Sequence, residues 1–177
     1  FMCAFALGGA IVQVPVGRLS DRMDRRIVIV AVTLLAAASG VSLGYFGGHN
    51  IARTLVLVTI FGMTALPCYG LAVAHTNDRL PREAFVEASA TLLLVNSLAS
   101  VAGPILAALV TARAGMQALF YYTAVIHAAF ALYTLYRIRK MEPAPDEYRD
   151  TFSPMPQQAS PVALELDPRS PETEETV

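Results

Sequence analysis

Gly17-Arg18-Leu19-Ser20-Asp21-Arg22-Met23-Asp24-Arg25-Arg26 is a short charged stretch between two long apolar runs, and its reading decides the fold. Four arginines and two aspartates in ten residues cannot rest in hydrocarbon, where each charge costs roughly 2.5 to 3.5 kcal/mol on insertion scales. The stretch therefore belongs at a membrane face. Apolar sequence on both sides makes it the loop of a hairpin between two spanning helices, and its arginine excess assigns it to the cytoplasmic side.

Composition agrees with this. Of the 177 residues, 55% are hydrophobic and 15% charged, too apolar for the interior of a soluble chain of this length. Runs of about 20 apolar residues match a bilayer core of about 30 Å. The expected fold is an all-α membrane protein with five spans, at about 1–16, 27–46, 54–74, 88–112 and 118–136. The first run looks short for an intact span and has no charged leader, so it is not a signal peptide. A chain that opens on Phe1 is expected to be a fragment lacking its N-terminal part. The second span carries Ala36, Ala37, Ala38, Ser39, Gly40 and Gly44, small residues that let helices approach closely in lipid. Leu66-Pro67 predicts a kink in the third, because proline removes a backbone donor. Cys3 and Cys68 lie inside apolar runs and are expected to be small core residues rather than disulfide partners or metal ligands.

Charge sorts by side. Arg18, Arg22, Arg25, Arg26, Arg79, Arg82, Arg137, Arg139 and Lys140 fall at one face, against Arg53 and Arg113 at the other. The positive-inside rule makes the first face cytoplasmic. The connector from His75 to Glu87 mixes Arg79 and Arg82 with Asp78, Glu83 and Glu87, and is expected to be solvated, with a helix starting near Arg82. His49 is expected to be solvated in the short turn on the opposite face. From Met141 onward, seven prolines alternate with acidic, serine and glutamine residues, a composition that cannot bury enough apolar surface to offset chain entropy. Residues 141–177 are thus expected to be a disordered, acidic, cytoplasmic tail. No basic stripe with interleaved aromatics remains for nucleic acid.

The charged stretch resembles the signature of the major facilitator superfamily, G-x-x-x-D-R-x-G-R-R. Gly17, Asp21, Arg22, Arg25 and Arg26 match it, while Asp24 stands where the family usually has a glycine. Glycine takes φ > 0 freely and aspartate only at a cost, so the turn geometry is expected to differ there. Ala88-Ser89-Ala90-Thr91-Leu92-Leu93-Leu94 followed by Ser100-Val101-Ala102-Gly103-Pro104 is similar to the penultimate helix of the YcaD-like bacterial branch. The resemblance implies helices eight to twelve of a twelve-helix protein, with helices two to six as the competing placement. It further implies alternating access between two six-helix bundles around a small-molecule site, with a missing N-terminal half as partner. In that picture Gly17, Arg18, Asp21, Arg22, Arg25 and Arg26 form a gating loop in which Asp21 and the arginines contact a helix of the other half. The competing reading is a loop that only sets topology.

Within the spans, Gln13, Asn96 and His127 are the polar groups most costly to leave facing lipid, and they are the candidate cavity residues. Asn96 either contacts substrate or makes an interhelical hydrogen bond. His127 either relays protons, since its ordinary pKa lies near 6.5, or packs on a neighbouring helix and donates to a backbone carbonyl. No acidic or basic residue sits at mid-membrane depth, so a coupling carboxylate is expected in the missing half.

The leading functional reading is a secondary active transporter of a small molecule at a bacterial inner membrane. The alternative is a membrane scaffold or sensor acting through its acidic tail. Enzyme activity is not expected: there is no H-E-x-x-H pattern, no paired aspartates at membrane depth and no serine with a nearby base. No cofactor or metal is implied.

Overall fold

The computed structural model describes residues 1–48, 50–81 and 84–141, apart from the side chain of Phe85. The expectations for His49, for a helix start at Arg82 and for residues 142–177 lie outside the described residues. Among the described residues six helices follow one another: α1 (Met2–Arg22), α2 (Arg25–Phe46), α3 (Ile51–Ala65), α4 (Pro67–Asn77), α5 (Phe85–Ala114) and α6 (Met116–Lys140). Taken with α3 and α4 as one kinked span, five are long and apolar enough to cross a membrane.

The kink is where proline demands it. Leu66 keeps helical angles, and its N–H still reaches the Gly62 carbonyl at 3.2 Å, but Pro67 begins a new helix without donating back. The first helix is the main correction to the expected spans. It does not stop at Val16 but runs through Pro15 and on to Arg22, 21 residues in all. Long arginine side chains allow this, because they carry the charge toward water while the backbone stays hydrogen-bonded within the helix. The run that looked too short for a span is therefore a full one.

The most enclosed helix is α2. Its small residues decide how close its neighbours come: a Cβ on Gly40 would sit 3.2 Å from the Ala124 Cβ of α6, and one on Gly44 would sit 2.8 Å from the Tyr121 ring. On its other side, Ser39 Oγ lies 3.3 Å from Thr64 Oγ1 of α3. The α1–α3 contact is tighter. A Cβ added to Gly62 would collide with the Phe5 carbonyl, and one on Gly8 with the Thr59 carbonyl. Backbones touching in this way gain the dispersion contacts that drive association where water exclusion is absent. Gly115, at φ +84°, makes the tight turn from α5 to α6 in a region that a side chain would strain. Cys68 packs beside an apolar cluster of Val28, Ile29, Val32 and Leu71. Cys3 is exposed on α1 and is not a core residue.

The connectivity gathers the ends of α1, α4 and α6 and the start of α2 at one end of the bundle. Arg53 and Arg113 lie at the opposite end, Arg53 5.5 Å from the centre of the Phe46 ring.

Candidate functional site

The arginine-rich end is built from a turn much shorter than the quoted stretch. Gly17 to Arg22 are helical, Arg25 and Arg26 open α2, and only Met23 and Asp24 lie between. Asp24 needs no left-handed backbone. At φ −62° and ψ 113° it is the N-cap of α2, its Oδ1 accepting the Arg26 backbone N–H at 3.0 Å. No described residue other than glycine has positive φ. Where the signature places a glycine, this chain substitutes a cap, satisfying one of the orphan donors of the helix start.

Two arginines next to each other in sequence reach different helices. One guanidinium nitrogen of Arg25 donates to Asp21 Oδ1 on α1 at 3.1 Å, while its Nε lies 2.9 Å from Asp78 Oδ2 at the end of α4. That Nε contact is an ion pair by distance, with the N–H not aimed along the line to the oxygen. Arg26 turns the other way. It holds both oxygens of Asp24, at 2.7 Å for the shortest contact, and donates through NH1 to the Met141 carbonyl at the end of α6, at 2.8 Å. Arg25, Arg26 and Asp78 are all buried, between 3% and 4% exposed.

These placements work against the helices' own fields. Arg25 and Arg26 sit in the first turn of α2, where no acidic residue accompanies them. Asp21 sits in the last turn of α1 and Asp78 caps the C-terminus of α4. A cation at a helix N-terminus or an anion at a C-terminus is disfavoured by about 0.3 to 1 kcal/mol. Burial adds a desolvation cost that pairing offsets only when the geometry is good. Such a cluster is a poor way to gain stability and a good way to join helix ends in one specific arrangement that can also be broken.

Of the six residues expected to form the site, the structure pairs Asp21 with Arg25 and turns Arg26 to Asp24 and the end of α6. Gly17 is buried and accepts a 2.7 Å hydrogen bond from the Ser20 hydroxyl. Arg18 and Arg22 are exposed. Sequence reasoning missed Asp78 and the Met141 carbonyl. Asp78 was expected in a solvated connector, but the helix continues to Asn77 and carries it into the cluster. Only its place four residues past the apolar run 54–74 hinted at this.

The candidate cavity residues do not converge. Half-buried Gln13 is on α1, which packs on α2, α3 and α4, and half-buried Asn96 is on α5, beside α4 and α6. No described residue hydrogen-bonds the Asn96 side-chain amide. The Nδ1 of His127 lies 2.7 Å from the Thr123 carbonyl of its own helix, and its ring meets Phe61 of α3 edge-on at 6.0 Å.

The sequence pattern of the Major Facilitator Superfamily matches residues 1–169. The chain belongs to the Major Facilitator Superfamily. This superfamily member is similar to a protein named as an uncharacterised MFS-type transporter of Yersinia enterocolitica, 24% identical over 153 residues, which are 86% of this chain and 37% of that protein. It is also similar to one of Bacillus subtilis so named, 28% identical over 102 residues, 58% of this chain and 26% of that protein. The matched part thus spans well under half the length of these relatives. No solved structure matches.

Proposed function

We propose that this chain is part of a secondary active transporter that moves a small molecule across a membrane by alternating access, its spans being helices eight to twelve of twelve. The superfamily membership supports transport, and the shares of the relatives' length support a further part of the protein outside this chain. The arginine-rich end and the tail are cytoplasmic in this reading, by the excess of cations there, at a bacterial inner membrane.

The observation that carries the reading is the buried Asp21–Arg25–Asp78 bridge. It ties the ends of α1, α2 and α4, so that this half tilts as one body when the two halves rock about a central site. The acidic partners of Arg25 lie within this half. The cluster therefore keeps these helix ends together while the cytoplasmic end opens and closes against the other half.

The test is Asp21→Asn in the full-length protein, with uptake into vesicles measured for a substrate identified by screening. The expected result is a change in uptake of about tenfold, the size of a coupling of 1 to 3 kcal/mol. Unchanged uptake with normal insertion overturns the gating role and leaves the stretch a determinant of topology.

A further inference from the structure

Charge is divided unevenly along this chain, and the division meets at Met141. Residues 1–141 carry 11 basic and 5 acidic residues, while 142–177 carry 2 basic and 9 acidic ones. At the arginine-rich end the aspartates Asp21, Asp24 and Asp78 are already committed to Arg25 and Arg26. Arg18, Arg22, Arg139 and Lys140 are exposed, and none of them forms an ion pair among the described residues. Arg18 and Arg22, four residues apart, lie one turn above the other on one face of α1. The cationic surplus is therefore on the surface and the anionic surplus is in the segment that follows.

The point of departure of that segment is held in place. Arg26, itself buried, donates to the Met141 carbonyl, so the chain leaves α6 beside the α1–α2 turn that follows Arg22. The next nine residues, Glu142-Pro143-Ala144-Pro145-Asp146-Glu147-Tyr148-Arg149-Asp150, contain four acids and one base. Fully extended they reach about 30 Å, enough to pass from Met141 to α1. Tethering keeps the local concentration of such a segment near the millimolar range.

We infer that the acidic segment Glu142–Asp150 docks across the exposed Arg18–Arg22 face of α1, with the Arg26–Met141 hydrogen bond fixing where it starts. The inference does not depend on transport or on which side is cytoplasmic, since Met141, from which the segment leaves, lies at the same end of the bundle as Arg22. The rival occupant of the arginine face is an anionic lipid headgroup, which juxtamembrane cations also attract.

The experiment uses the full chain in nanodiscs, with spin labels at Leu19→Cys and Ser153→Cys in a Cys3→Ser, Cys68→Ala background, and reads the distance distribution by electron–electron double resonance. Docking gives a short, narrow component in phosphatidylcholine that persists in phosphatidylglycerol and shrinks at high salt. Arg18→Gln with Arg22→Gln reduces it about fivefold, the effect of losing a pair of exposed ion pairs. The combined variant Asp146→Asn, Glu147→Gln, Asp150→Asn does the same from the other side, whereas Arg53→Gln at the opposite end leaves it unchanged. Identical distributions in parent and charge variants overturn the inference. A short component confined to phosphatidylcholine, replaced in phosphatidylglycerol by arginine-dependent retention of that lipid, overturns it in favour of headgroups.

Discussion

Both α2 and α5 are apolar enough to cross a bilayer, yet most of α2's apolar stretch is buried against neighbouring helices and none of α5's is. The two differ in how their small residues are used. On α2, Ser39, Gly40 and Gly44 each meet a side chain of α3 or α6. On α5, a Cβ added to Gly103 would meet nothing within 4 Å, and Ser97 donates to the Leu93 carbonyl of its own helix at 2.8 Å, as Ser39 does to Ala36 at 3.0 Å, but without a hydroxyl of another helix beside it. Hydropathy selects what enters lipid. It does not select partners, because lipid chains are as apolar as the side chains they would replace.

Paired substitutions in the enclosed helices and in α5 test this contrast. The largest effect is expected at Arg25. Arg25→Ala leaves Asp21 and Asp78 without their shared cation and costs about 3 to 5 kcal/mol, whereas Arg113→Ala, exposed at the end of α5, stays within about 0.5 kcal/mol. Unfolding in detergent, followed by circular dichroism, compares the two, and equal losses would refute the buried bridge. Next is Gly62→Ala on α3, whose new methyl must push α1 away and costs about 1 to 3 kcal/mol. Gly103→Ala has room and is expected to be neutral or stabilising by up to about 1 kcal/mol. Melting temperatures by size-exclusion chromatography of heated samples separate them, and a harmless Gly62→Ala would mean α1 and α3 lie farther apart. The smallest effect is at Ser39→Ala, which loses one interhelical hydrogen bond worth about 0.6 kcal/mol; Ser97→Ala should cost less, a difference that replicate denaturant titrations can resolve.

The candidate site was partly legible for the same reason that α2 and α5 look alike in sequence. Asp21, Arg25 and Arg26 stood out because charges cannot stay in hydrocarbon. Their division into two buried arginines and two exposed ones, Arg18 and Arg22, could not be read from a string in which all four look equivalent. It follows from register: Arg25 and Arg26 open a helix that is enclosed on several sides, while Arg18 and Arg22 lie on the outward face of α1. Asp24 shows the reverse. The sequence said only that the turn geometry would differ from glycine's, and the structure supplies the form of the difference, a capping carboxylate at ordinary negative φ.

A helical membrane protein, five spans among the described residues, a proline bend in one of them and a cation-rich end were all legible in the sequence. These follow from transfer free energies that add residue by residue along the chain. Tertiary structure alone decided that Arg25 finds Asp78 and that Arg26 closes the end of α6. Those contacts join residues 53 and 115 positions apart, and their energy depends on distance, burial and direction among helix ends that only the packed bundle brings together.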